Sequence, residues 1–119
     1  MIKVEIYEHP LTDDIVFKVR GHAGSAPEGE DLVCAAVSAY VNQMAETVKA
    51  LYKMGWLKGR PRIAREKGKS TIVFHPYDPF ELKGDVDITV ITKYMVMMSA
   101  TGFDSLAKEV PQFVQFGNA

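Results

Sequence analysis

Ile2, Val4 and Ile6 alternate with Lys3, Glu5 and Tyr7, a period of two that predicts a strand with one buried face. His9 to Asp14, with Pro10 and two adjacent aspartates, has turn chemistry. Ile15, Phe17 and Val19 then resume the alternation against Val16, Lys18 and Arg20, so the two segments read as an antiparallel hairpin. Gly21 closes the second strand. From Gly21 to Glu30 three glycines and one proline fall within ten residues, too many for a regular element. At Asp31 the period changes. Val33, Val37, Tyr40, Val41, Met44, Val48, Leu51 and Tyr52 recur at helical spacing, with Asn42, Gln43, Glu46 and Lys49 on the other side. Asp31 suits the N-cap, because its carboxylate can accept first-turn amides, and the helix is predicted from about Asp31 to Lys53, ending near Gly55.

Gly59 to Lys69 reads as a basic, turn-like segment, and Ser70 to His75 as a strand closed by Pro76 and Pro79. Asp85 to Thr92 is rich in β-branched residues that favour strand. Against this, Val90, Ile91, Tyr94, Met95, Met98, Phe103, Leu106 and Val110 trace a broad helical stripe uninterrupted by proline. The stripe decides for a helix from about Val86 to Glu109, with Gly102 as its weak point, followed by a short strand over Phe113 to Phe116. The expectation is an α+β fold of order β-β-α-β-α-β: a small sheet opening with a hairpin and packed with two long helices. No repeat, low-complexity tract or linker divides the chain, so residues 1–119 are expected to form one domain.

Composition narrows the function classes. With 47% hydrophobic and 24% charged residues the chain has ordinary globular make-up. A formal net charge of -1 argues against broad, charge-driven binding to nucleic acid or acidic membranes. The N-terminus lacks an apolar signal core, and the longest apolar run, Leu32 to Val41, is about half of the ~20 residues that span a bilayer. A single cysteine forms no internal disulfide, so a cytoplasmic protein is expected, with no membrane partner.

That cysteine, Cys34, falls on the third helical residue if Asp31 is the cap, and His22 lies twelve residues upstream at the mouth of the glycine loop. Helix-start amides favour a thiolate over a thiol, and an imidazole within reach completes the parts list of a cysteine nucleophile. First-turn or loop amides can stabilise a tetrahedral oxyanion. Glu28, Glu30 and Asp31 oppose the thiolate, unless Asp31 is spent on capping or on orienting His22. Ser38 lies one turn beyond Cys34 on the same face. The bland readings are a small buried thiol in an alanine- and valine-rich helix and a histidine that packs a loop. His9, His22, His75 and Cys34 have no recognised ligand spacing, so neither metal nor other cofactor is expected.

Gly21-His22-Ala23, followed by Gly29-Glu30-Asp31-Leu32-Val33-Cys34-Ala35-Ala36-Val37-Ser38, resembles the signature of the ribosomal-processing cysteine protease (Prp, or YsxB-like) family of bacteria. Leu32 stands where that signature has isoleucine. The resemblance covers the opening hairpin and first helix and extends loosely to the second helix and closing strand. It implies a cytoplasmic, usually dimeric α+β enzyme that removes the N-terminal extension of a large-subunit ribosomal protein, the twenty-seventh, cutting after paired aromatic residues. Carried over, Cys34 is the nucleophile and His22 the general base or acid. Gly21, Asp31 and Ser38 match supporting positions, and Gly24 and Gly29 belong to a loop matching a mobile segment that admits the peptide. Lys58 to Lys83 is longer and more basic than the family pattern, and no role is carried over to it.

Rival readings remain. Lys58, Arg60, Arg62, Arg65, Lys67 and Lys69 form a basic run relieved by Glu66, which reads as a solvated hairpin or as a contact for ribosomal RNA. Without interleaved aromatics it offers no base-stacking platform. A non-catalytic ribosome-assembly factor that binds ribosomal protein or RNA is therefore the main alternative, and a thiol-dependent redox or acyl-transfer protein the third. Met44, Met95, Met97 and Met98 read as fillers of a core or dimer interface, with a peptide groove as the alternative.

Overall fold

The computed structural model describes residues 1–24, 26–27, 31–77 and 86–117, with 86–89 as backbone only. Among these, the elements run β1 (Ile2–Glu8), β2 (Ile15–Gly21), α1 (Leu32–Lys53), β3 (Arg62–Glu66), β4 (Lys69–Phe74), α2 (Val86–Glu109) and β5 (Val114–Gly117). The strands form one sheet in the order β3-β4-β2-β1-β5. All neighbours are antiparallel except β1 and β5, which run parallel. The fold is α+β, as the periodicities predict.

Register explains where the core sits. Ile6 stands beside Phe17, Phe17 beside Ile72, and Ile72 beside Ile63, so one apolar row crosses the sheet on its helix-facing side. Phe17 and Ile72 are wholly buried there, together with Met44, Ala45, Val48 and Leu51 of α1 and Phe103 of α2. The Phe103 ring lies 5.0 Å from that of Phe17 and 5.4 Å from that of Tyr40, which clamps α2 against both sheet and α1. Gly102 permits this: a Cβ there would stand 3.0 Å from Cε1 of Tyr40. The glycine read as a weak point of α2 is thus the place where α1 comes close. On the opposite side of the sheet Val16 is also buried, between its register partners Tyr7 and Val73.

One expectation needs correction. The basic segment Gly59 to Lys69 is not simply a turn, because it contains β3, and the element order is β-β-α-β-β-α-β. β3 is the sheet edge, where charged side chains discourage pairing with another chain. Ile63 is the partly buried position in an otherwise exposed strand, so no apolar alternation announced it. The broad apolar stripe of α2 divides between core and surface. Val90, Ile91, Tyr94 and Met98 are exposed, with Met97 beside them, whereas Thr92, Ser99 and Phe103 are buried. The helix carries apolar residues on more than one side, and its buried side holds two small hydroxyl residues that hydrophobic periodicity cannot mark.

Candidate active site

Three short-range features build the site from β2 and the start of α1. The first is the end of β2 at Gly21, whose backbone has φ +98 and where a Cβ would run into the Met1 carbonyl oxygen. Glycine alone tolerates both conditions. The Met1 ammonium then donates to the His22 carbonyl, which fixes the backbone of the next residue.

The second is the cap of α1. Asp31 is extended at the N-cap and buried, and its Oδ1 accepts the Cys34 amide at 3.0 Å. A carboxylate so placed satisfies a first-turn donor that has no helical partner. The acidic residue nearest in sequence to the sulfur is therefore turned onto the backbone amide of Cys34. Glu28, Gly29 and Glu30 lie outside the described residues, and so does any loop role of Gly29.

The third is the sulfur itself. Cys34, half-buried in the first turn, accepts the Ala23 amide at 3.5 Å through Sγ. The residue beside His22 thus holds the thiol of Cys34 through its backbone. The sulfur lies between an amide donor and the first turn of α1.

The His22 ring is seated by a distant element. The turn between β3 and β4 brings Gly68, at φ +77, under the imidazole: a Cβ on Gly68 would lie 2.9 Å from Nε2 and 3.2 Å from Cε1. Gly21 also donates its amide to the Gly68 carbonyl at 2.9 Å, which stitches the turn to the end of β2. No hydrogen bond joins the His22 ring to the sulfur among the described residues; the ring rests on the turn and the sulfur on Ala23.

Gly21, His22, Gly24, Asp31, Cys34 and Ser38 all line one cleft of about 840 Å³. Gly24, at φ +69, has open space where a Cβ would be, and Ser38 is exposed one turn beyond Cys34. The other two histidines stand elsewhere: His9 Nδ1 accepts the Leu11 amide at 3.2 Å, and His75 pairs with Asp14 at 3.1 Å. The far wall of the cleft comes from Arg65 to Ser70 of the β3–β4 hairpin, with Asn42 of α1 beside it. Reasoning from local pattern missed these residues. The available signal was Lys67-Gly68 between two charged runs, a turn sequence whose flanks lack apolar alternation. Among the described residues, no group of three or more His, Cys, Asp and Glu side chains is placed to hold a metal ion.

The fold is shared with solved proteins. An essential ribosomal processing protease Prp from S. aureus, in complex with a covalently linked product peptide, superposes with TM-score 0.63 at 19% identity, over 100% of both chains. The same protease in complex with a substrate peptide gives 0.59 at 18% identity, again over 100% of both chains. SMU.848 from Streptococcus mutans gives 0.58 at 23% identity, over 99% of this chain and 93% of that one. No curated protein sequence matches the chain. Residues 1–115 match the family described as cysteine protease Prp, and the chain belongs to that family.

Proposed function

We propose that this protein is a cysteine endopeptidase that removes the N-terminal extension of a large-subunit ribosomal protein, with Cys34 as nucleophile and His22 as general acid and base. The observation that carries the assignment is the meeting of these two side chains in one cleft, with the sulfur held by the Ala23 amide. The peptide-bound S. aureus protease of the same fold supports a peptide as the substrate class.

In the first step the Cys34 thiolate attacks the scissile carbonyl carbon. A C–S bond forms, and the carbonyl π electrons move onto oxygen near the amides that start α1. Collapse of that oxyanion breaks the C–N bond as protonated His22 gives its proton to the leaving amine. Neutral His22 then takes a proton from water as the water oxygen attacks the thioester carbon. Collapse breaks the C–S bond, the acid product leaves and gives its proton to solvent, and the thiolate and protonated His22 are restored. The ring must swing from its seat on Gly68 toward the sulfur, and substrate in the cleft supplies the occasion.

The same reading makes the protein a cytoplasmic homodimer of a bacterial cell. The exposed apolar side of α2 supports a subunit contact. None of the described helices is long and apolar enough to cross a membrane.

The test is alkylation and cleavage. Iodoacetamide is expected to modify Cys34 stoichiometrically, and more slowly in His22→Ala. A peptide carrying paired phenylalanines is expected to be cut by the wild type and left intact by Cys34→Ala. Cleavage that survives Cys34→Ala would falsify the mechanism.

A further inference from the structure

The helix-facing side of the sheet changes character along one row. Val4 stands beside Val19, Val19 beside Ser70, and Ser70 beside Arg65, so the row is apolar over the core and polar at the cleft edge. Facing the polar end, α1 presents Cys34, Ser38 and Asn42 at successive turns of one face. One guanidinium nitrogen of Arg65 donates to Asn42 Oδ1 at 2.7 Å. A neutral acceptor therefore positions the guanidinium, and among the described residues no carboxylate pairs with its charge.

Asp31 and Glu66 are the acidic residues of the same lining. Asp31 accepts the Cys34 amide, whereas Glu66 makes no ion pair among the described residues and stands in register with Lys69 in the last pair of the β3–β4 ladder. Strand alternation puts both members of that pair on the other side of the sheet from Arg65 and Ser70. Lys67 adds a further cation to the lining. The cleft thus has an apolar part, with Ile2, Val19, Val37 and Val41, and a fixed cation at one end.

We propose that Arg65, held by Asn42, is a carboxylate subsite that selects peptides bearing Asp or Glu at a set distance from the scissile bond. A planar guanidinium with unused donors suits a carboxylate, which it can grip through two parallel hydrogen bonds. The spacing follows from geometry. Asn42 is eight residues beyond Cys34, about 12 Å along α1 at ~1.5 Å per residue. An extended peptide advances about 3.3 Å per residue, so the acidic side chain falls at the third or fourth residue from the cut.

This inference rests on the peptidase reading, so its test has an arm that needs no cleavage. Fluorescent paired-phenylalanine peptides, differing only by Glu or Gln at the third or fourth residue on either side of the cut, are titrated against Cys34→Ala and cleaved by the Cys34 protein. At one of these positions Glu is expected to lower both Kd and KM about two- to fivefold at low salt. The advantage is expected to shrink as salt is added. The Glu-to-Gln ratio is expected to fall to one in Arg65→Gln and to persist in Arg60→Gln, which removes a cation outside the cleft lining.

Equal behaviour of Glu and Gln peptides at every position overturns the proposal, as does a Glu preference that survives Arg65→Gln. Loss of affinity for an RNA oligonucleotide in Arg65→Gln, with the peptide preference intact, assigns the cation to nucleic acid and likewise overturns it. Glu-dependent binding to Cys34→Ala without cleavage of any peptide by the wild type supports the subsite while sinking the peptidase reading. Thermal melts establish that each variant is folded.

Discussion

At the scale of single residues, Gly68 shows how a position far from the signature seats the His22 ring. A methyl group there would press on the His22 ring, and the ring, being the end of a side chain, can yield by rotating. Gly68→Ala therefore moves the imidazole more readily than it unfolds the protein. The left-handed backbone adds its own penalty of about 1 kcal/mol, and Gly59 supplies the control. Gly59 has φ +80 beside +77 at Gly68, yet open space where its Cβ would be. Gly59→Ala and Gly68→Ala are expected to melt at similar temperatures. Only Gly68→Ala is expected to lower kcat, on the order of 10- to 100-fold with KM held, because a misplaced general base loses near-attack geometry. Equal kcat in the two variants would remove Gly68 as a positioning residue.

At the scale of elements, the end of the β1–β2 hairpin is tied to the end of β4 by Asp14. Burial pushes its carboxyl pKa up. The Thr12 hydroxyl, the hydrogen bond and charge of His75, and the charge of Arg62 outweigh that and hold it below the ordinary value of 3.8. Because the native pKa lies below the unfolded one, the contribution of the cluster is complete above about 3.8 and is lost as pH falls through the lowered native value. Asp14→Asn is expected to reduce unfolding free energy by about 1 kcal/mol at pH 7. The difference from wild type is expected to vanish in urea melts carried out well below pH 3.8. A gap that stays constant across that range would assign the effect to packing rather than charge.

The same scale shows what the sequence discloses. α1 was legible from end to end, because a capping aspartate, a regular apolar stripe and a closing glycine agree with one another. β3 was not, because an edge strand buries little and Ile63 alone cannot make a period. That omission hid one wall of the cleft. His22 and Cys34 are close in sequence and belong to one local motif, so spacing could suggest the pair and the family resemblance could give each a proposed role. Gly68 and Arg65 arrive through register, Arg20 beside Lys69 and then Ser70 beside Arg65, across two strand pairings that no local window contains. α2 was legible in its limits, although the stripe that defined it mixes a core side with an exposed one.

At the scale of the whole molecule, that exposed side is the largest feature the monomer leaves unexplained. Val90, Ile91, Tyr94, Met97 and Met98 recur at helical spacing and are each between 43% and 76% exposed, whereas the apolar residues of the sheet are spent on the core. Scattered apolar residues on a surface need no explanation, but a contiguous stripe along one helix marks an interaction surface. In the proposed homodimer the stripe meets its own copy, so a new carboxylate on it would face an identical charge. Tyr94→Glu combined with Met98→Glu is expected to sediment as a monomer with unchanged helix content, while the wild type sediments as a dimer. Among the described residues, those lining the cleft come from β1, β2, α1 and the β3–β4 hairpin with their adjoining loops, and none from α2. The monomeric variant is therefore expected to cut a short peptide at the wild-type rate per chain, which separates assembly from chemistry. A double variant that remains dimeric would place the subunit contact on another face. One that becomes monomeric and inactive would show that a partner chain completes the cleft.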